Sequence, residues 1–184
     1  MLTLIINNLK IEIMKKILLF MAFVFCFTNA FGKKKIEVAY GNITVLKEVA
    51  TAKFVLDLDE TTWEGKENYK QRLGDKFPER YKLSYDAFVR YFNATTKGLK
   101  ITEDEDAKYT IIFKVVELWQ YMGSYGRFAK YILGTIDIVD NSTKNVVCSV
   151  NVKRLEGSAD YTVPGRIEKA YSNVAVKLNE LNKK

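Results

Sequence analysis

Residues 108–155 read KYTIIFKVVELWQYMGSYGRFAKYILGTIDIVDNSTKNVVCSVNVKRL, and this stretch decides the fold class. Apolar and polar side chains alternate in three runs, Tyr109 to about Tyr121, Phe128 to Val139 and Val146 to Leu155. A period of two is typical of strands with one buried side and one side in water. The links at 122–127 and 140–145 are about six residues each, whereas parallel neighbours need crossovers of about a dozen residues or more. The sequence therefore predicts three consecutive antiparallel strands.

The segments around this stretch complete an α+β pattern. Alternation predicts two strands within residues 36–58, paired as a hairpin. Helical spacing predicts helices over residues 64–74, from an N-cap at Ser84 to Gly98, and from Pro164 to Leu181. We therefore predict a mostly antiparallel sheet of about five strands, with helices packed on one face, in the order β-β-α-α-β-β-β-α.

Gly134 interrupts the apolar side of its strand, which Ile132, Ile136 and Ile138 otherwise form. A glycine inside a strand indicates a bend or the close approach of another segment. We expect the middle or the last helix to cross the sheet at this position.

The composition excludes several classes of function. The chain has 184 residues, 28% of them charged and 48% hydrophobic, with a formal charge of +7 and no histidine. Its two cysteines, Cys26 and Cys148, provide neither a disulfide framework nor a multi-thiolate metal site. The positive charge is spread along the chain, which argues against nucleic-acid binding. The sequence predicts no cofactor and no metal site, and Cys148 is expected to pack in the core.

The first thirty residues predict export. Lys15 and Lys16 precede eleven apolar residues, and Thr28 and Ala30 supply the small side chains of a cleavage site. The apolar run is too short to span a bilayer, which needs roughly 20 residues. Residues 14–30 are thus predicted to be a signal peptide that is cleaved near Ala30. Residues 1–13 are expected to be a mis-called start, with Met14 as the alternative to Met1.

After cleavage, residues 31–184 would form a single α+β domain without a transmembrane span. This domain is expected in the periplasm or outside the cell. The sequence leaves its oligomeric state open.

The stretch from Phe54 to Thr61, FVLDLDET, contains two aspartates that could be catalytic. It resembles the first motif of haloacid-dehalogenase-type phosphatases, in which one aspartate attacks phosphorus and the second acts as general acid and base. The resemblance implies that Asp57 is the nucleophile and Asp59 the acid of a magnesium-dependent phosphatase. Such an enzyme needs a parallel sheet, whereas short links here predict antiparallel neighbours. The favoured interpretation is a strand that ends in a loop, with no catalytic residue.

A group of aromatic residues could form a contact surface. Trp119, Tyr121 and Tyr125 lie around one predicted hairpin tip, and Trp63 follows the second strand. Exposed aromatic rings can stack on sugars or anchor a protein partner. The alternative is that these rings cap one end of the core.

Several short stretches together resemble a family of secreted Bacteroidota proteins of unknown function. They are Val45–Glu48, Ala107–Tyr109, Gly134–Asp140 with Thr143, Val146–Cys148 and Val152–Gly157. The resemblance implies an exported protein with an antiparallel sheet and flanking helices. It supplies no catalytic residue.

These observations lead to one main hypothesis and two alternatives. The main hypothesis is an exported, non-enzymatic binding or assembly module of the bacterial envelope, with an envelope protein or a glycan as its partner. The alternatives are the phosphatase that uses Asp57 and Asp59, and a glycan-binding module that uses the aromatic residues.

Overall fold

The computed structural model describes residues 35–122, 128–156 and 165–183. The strands are β1 (Ile36–Gly41), β2 (Thr51–Asp57), β3 (Thr62–Trp63), β4 (Glu67–Asn68), β5 (Lys100–Thr102), β6 (Tyr109–Met122), β7 (Phe128–Asp140) and β8 (Val146–Glu156). The helices are α1 (Tyr69–Leu73), α2 (Phe77–Thr95) and α3 (Gly165–Lys183), with short 3-10 helices at Ile43–Glu48 and Gly74–Lys76. The predicted start and signal peptide lie outside the described residues and stay predictions.

The sheet is mostly antiparallel, as the alternating stretch predicts. Its strands lie in the order β1-β8-β7-β6-β2-β5, and β3 joins it beside β6 and pairs with β4. Strands β6, β7 and β8 form two antiparallel pairs, and β1 pairs antiparallel with β8. The α+β class and the antiparallel run are therefore confirmed.

The predicted count of about five strands and the predicted element order are wrong. The described residues contain eight strands, and three of these, β3, β4 and β5, are only two or three residues long. So few residues cannot show an alternating pattern, which explains why they were missed. The short β3–β4 hairpin also replaces the first turn of the helix that was predicted over residues 64–74.

The predicted hairpin between the first two strands is also wrong. β1 pairs only with β8 among the described strands, whereas β2 runs parallel to both β5 and β6. Between them, the 3-10 helix at Ile43–Glu48 buries Ile43 and Leu46. This buried turn separates β1 from β2, so the two strands lie in different parts of the sheet.

The two long helices cover the same side of the sheet. Phe113 of β6 contacts Phe88 of α2 and Tyr171 of α3, with ring centroids 6.0 and 5.9 Å away. Phe88 also stacks on Phe54 of β2 at 4.2 Å. We call this side of the sheet the covered face.

No helix in the described ranges has both the length and the apolar content needed to cross a bilayer.

Helix α2 begins earlier than predicted. Ser84, the expected N-cap, lies inside the helix and is 1% exposed. Pro78 occupies the first turn, where its missing N–H costs no helical hydrogen bond. The start of α2 is therefore set by this proline.

The nearest neighbours of Gly134 belong to a strand, and the predicted crossing of a helix at this position stays a prediction. A Cβ at this position would lie 2.3 Å from the carbonyl oxygen of Lys114 in the neighbouring β6. The register pairs Gly134 with Val115, next to irregularities in both of its strand pairs. The glycine therefore allows β6 and β7 to pack closely where their registers shift.

Candidate interaction surface

The sheet has a second side, which no described helix covers. Along β2, β6, β7 and β8, the residues between the buried ones are half-exposed or exposed. We call this side the open face. Its central part is formed by Val55, Asp57, Ile112, Lys114, Val116, Glu117, Trp119, Tyr131, Leu133, Thr135, Asp137, Ser149 and Asn151.

A fixed group of polar side chains crosses the middle of the open face. The Lys114 Nζ lies 3.2 Å from the Asp137 Oδ2, and the Ser149 hydroxyl donates to Asp137 Oδ1 at 2.7 Å. The Asp137 side chain is only 15% exposed, while that of Lys114 is 50% exposed. We call Lys114, Asp137 and Ser149 the polar belt. Because both carboxylate oxygens are occupied, the belt presents the lysine in a defined position.

An apolar patch borders the polar belt. The register of β6 shifts between Val115 and Glu117, and Val116 at this irregularity is 53% exposed. Trp119 is 42% exposed and is paired with Tyr131 of β7. We call Val116, Trp119, Tyr131 and Leu133 the apolar patch, and the half-buried Glu117, which is paired with Leu133, lies beside them. Aromatic and aliphatic groups beside an oriented charge are features of protein contact surfaces.

The structure does not bring Trp63 and Trp119 together. Trp63 is paired with Leu118 of β6, which is 1% exposed on the covered face. Its ring stacks on Tyr69 at 6.0 Å, and the Arg72 guanidinium lies 5.0 Å from its centroid. Trp119 follows Leu118 and therefore points to the opposite side of the sheet. Of the two tryptophans, only Trp119 contributes to the open face.

The other two predicted aromatic residues cannot be placed on this surface. The side chain of Tyr121 and all of Tyr125 lie outside the described residues. Their contribution to a partner or glycan surface stays a prediction.

Asp57 and Asp59 form a turn at the end of β2. Asp57 Oδ1 accepts a hydrogen bond from the backbone N–H of Asp59 at 3.2 Å. The Asp59 side chain is 81% exposed, and the Lys70 Nζ lies 3.9 Å from its Oδ1. The hydrogen bond is the local bond by which aspartate stabilises a turn. It accounts for Asp57 without catalysis.

The neighbours of β2 nevertheless correct the sequence argument against a phosphatase. Both β5 and β6 run parallel to β2, and Asp57 is paired with Lys114. The expected absence of parallel neighbours is therefore wrong. Lys114 is bound to Asp137, and in the described ranges no three acidic or cysteine side chains are grouped to hold a metal ion.

The polar belt and the exposure of Val116 were not predicted from the sequence. Alternation assigned Lys114, Asp137 and Ser149 to the solvent side of their strands, but it did not show that they meet. The short turn at 140–145 indicates that β7 and β8 are antiparallel. A register shift between Ile138 and Val139 separates this turn from the pair of Asp137 and Ser149, so the turn does not predict their contact.

Val116 carried no direct signal. Its exposure follows from the register shift in β6. In the sequence, Gly134 on the neighbouring strand indicated an irregularity, but it did not indicate which side chain of β6 would be exposed.

Comparisons with known proteins give limited similarity. No protein-family model matches the chain, and no curated protein matches it. It is similar to the solved structure of a PelC dodecamer from Paraburkholderia phytofirmans, with 16% identity, 77% of this chain and 96% of that chain covered, and a TM-score of 0.48. It is also similar to a DUF330 protein from Xanthomonas campestris, with 20% identity, 53% and 58% covered, and a TM-score of 0.41. We transfer no residue role from either protein.

Proposed function

We propose that this chain is an exported, non-enzymatic binding protein of the bacterial envelope whose open face contacts a protein partner. The observation that carries the proposal is the apolar patch beside the fixed polar belt on an uncovered sheet face. The proposal of export rests on the signal-like sequence before Ala30.

The chemistry of the open face supports a protein partner. Trp119 and Tyr131 are the residue types that contribute most to binding energy when a partner buries them. The belt lysine adds a charge that is already oriented by Asp137, so little side-chain order must be gained on binding. A complementary partner would place apolar side chains on the patch and a carboxylate near Lys114.

The size of the face is sufficient for a small specific interface. Four strands spaced about 4.8 Å apart, with about eight residues each at about 3.3 Å, span about 500 Å². A partner of equal footprint would bury about 1,000 Å² in total, which is at the lower end for specific complexes.

A matched pair of variants tests this proposal. Val116→Asp places a charge in the apolar patch, while Leu83→Asp places one on α2, where Leu83 is 38% exposed. Tagged full-length protein is cross-linked in envelope fractions, and the captured proteins are identified by mass spectrometry. We expect the proteins captured by the wild type to be retained by Leu83→Asp and lost by Val116→Asp. If Val116→Asp captures the same proteins at the same yield, the open face is not the contact surface.

A second experiment tests whether the open face binds a glycan instead of a protein. A glycan panel is probed with the wild type and with Trp119→Ala. Glycan binding that depends on Trp119, without any protein captured through Val116, would replace the protein-partner proposal with a glycan-binding one.

The phosphatase is a second candidate, because β2 has parallel neighbours and Lys70 lies near Asp59. Hydrolysis of p-nitrophenyl phosphate is measured with and without Mg²⁺ for the wild type, Asp57→Asn and the double variant Asp57→Ala, Asp59→Ala. We expect the wild type not to exceed the double variant. Magnesium-dependent turnover that is lost in Asp57→Asn would establish the enzyme and refute the non-enzymatic proposal.

A further inference from the structure

A groove of about 740 Å³ lies away from the open face, at the C-terminal ends of α2 and α3. The 3-10 helix at Ile43–Glu48 and the segment that leads into β5 form its other walls. We call it the C-terminal groove. Its volume is within the range of small-molecule sites, which is roughly 300–1,000 Å³.

The inner wall of the C-terminal groove is apolar. Leu46 and Leu99 line it and are 0% and 4% exposed, and Val49 beside them packs against the core. Because both leucines are already out of water, an acyl chain on this wall would bury its own apolar surface and that of the half-buried Val49, at about 25 cal/mol per Å².

The rim of the groove carries more positive than negative side chains among the described residues. Lys47, Lys97 and Lys183 line it and are exposed. None of the three forms an ion pair within 4.0 Å in the part of the chain that the structure describes. Glu48 also lines the groove, but its carboxylate lies 3.9 Å from the Nζ of Lys108, outside the groove.

A second cavity provides a comparison, because most of the lysines that line it are in ion pairs. This cavity of about 370 Å³ is lined by Lys53, Lys108 and Lys144. Lys53 contacts Glu105 at 2.6 Å, and Lys108 lies near Glu48. Two of its three lysines thus have an ion-pair partner, whereas the described residues provide no ion-pair partner for any of the three lysines of the C-terminal groove.

Helix dipoles account for only part of this arrangement. Lys97 and Lys183 lie at helix C-termini, where a positive charge is favourable in any case. The helix dipole explains why a lysine is favourable at each of these positions. It does not explain why the lysines surround a groove with an apolar wall. Lys47 lies in the last turn of the 3-10 helix and completes the rim from a third element.

We propose that the C-terminal groove binds an anionic amphiphile, with its acyl chain on the wall formed by Leu46, Val49 and Leu99. Its carboxylate would lie among the ammonium groups of Lys47, Lys97 and Lys183. The ligand class is a single-chain fatty acid or a close chemical relative. This proposal uses no residue of the open face and does not depend on the proposed function.

Binding of dodecanoate to the full-length protein, measured by calorimetry at low salt, tests the proposal. We expect saturable binding of one dodecanoate per chain, weakened by added salt, and no saturable binding of inorganic phosphate or dodecyl maltoside. Phosphate or maltoside binding as strong as that of dodecanoate would show that the site does not combine charge with an apolar wall, and would overturn the proposal. Absence of dodecanoate binding would overturn it as well.

Three variants locate the site. One lysine near an anionic surface contributes about 1 kcal/mol, so Lys47→Gln with Lys97→Gln should weaken dodecanoate binding about 25-fold. Lys76→Gln is the matched control, because Lys76 is exposed at the opposite end of α2. Equal affinity of the double variant and the control would place the ligand elsewhere.

The third variant fills the groove. A Cβ at Gly98 would meet no heavy atom within 4 Å, and Gly98 lines the groove. Gly98→Phe should therefore leave the melting temperature unchanged and abolish dodecanoate binding. A folded Gly98→Phe variant that binds as the wild type does would also overturn the proposal.

Discussion

The covered face and the open face are two sides of the same strands, yet they differ in the exposure of their side chains and in the contacts that order them. On β6, Ile111 and Phe113 of the covered face are 0% exposed, while Val116 of the open face is 53% exposed. The covered face is packed by aromatic rings from two helices, whereas the open face is ordered by the polar belt. The comparison indicates that the covered face provides stability, while the open face leaves apolar and charged side chains exposed among the described residues.

The first way to break this comparison is to remove the central ring of the covered face. Phe113 lies between Phe88 and Tyr171, so Phe113→Ala should leave a cavity between both helices and the sheet. We expect the free energy of unfolding to fall by about 3–5 kcal/mol, measured by urea denaturation. Phe113→Leu is the control and should lose much less, because most of the volume is kept. A loss below about 1 kcal/mol for Phe113→Ala would contradict the assignment of this face as the core.

The antiparallel half of this architecture was predictable because its signals are local. Alternation along residues 146–155 and the short turn before them determine both the direction and the buried side of β8. The parallel half was not predictable in this way. β2 pairs with β6 through residues that are distant in sequence, such as Phe54 and Ile111, and the three-residue β5 has no pattern of its own.

The open face was predictable in part for the same reason. Alternation placed Lys114 and Asp137 in water, but contact between them depends on the register of β6 and β7. The two-residue strand β3 pairs Trp63 with Leu118, which points to the covered face. The Trp63 ring therefore lies on the opposite side of the sheet from Trp119. Aromatic residues of neighbouring strands therefore need not share a face.

The second way to sharpen the comparison uses the pH dependence of the covered face. Burial, assisted by the negative charge of Asp137, raises the pKa of the Cys148 thiol from 9.0 to about 11. The unfolded thiol releases its proton at lower pH than the folded one, so this stabilisation is complete below pH 9 and is lost as pH rises to about 11. The loss should reach about 3 kcal/mol.

Urea denaturation across this pH range, for the wild type and Cys148→Ala, isolates the thiol contribution. The pKa of Tyr69, which burial raises to about 12, affects both proteins equally and so cancels in the difference. The wild type should lose more stability than Cys148→Ala between these pH values. Parallel curves for the two proteins would show that the thiol is accessible to water in the folded state.

The third experiment tests how firmly the open face is ordered. Asp137→Ala removes the acceptor for Ser149 and the partner of Lys114, and should reduce the free energy of unfolding by about 1–2 kcal/mol. The control is Asp86→Ala, which breaks the exposed contact with Lys82 on α2 and should cost less. Equal losses for the two variants would mean that the polar belt is no more ordered than an ordinary surface pair.

The smallest effect on stability is expected at Val116, on the same strand as Phe113 but on the opposite face. Because this side chain is already 53% exposed, Val116→Ala removes little buried surface and should change the free energy of unfolding by about 0.5 kcal/mol or less. The same variant should weaken capture of the partner, since Val116 lies in the apolar patch. Urea denaturation and quantitative cross-linking on one protein preparation measure both effects. A stability loss close to that of Phe113→Ala would mean that other parts of the chain bury Val116, and the distinction between the two faces would then fail.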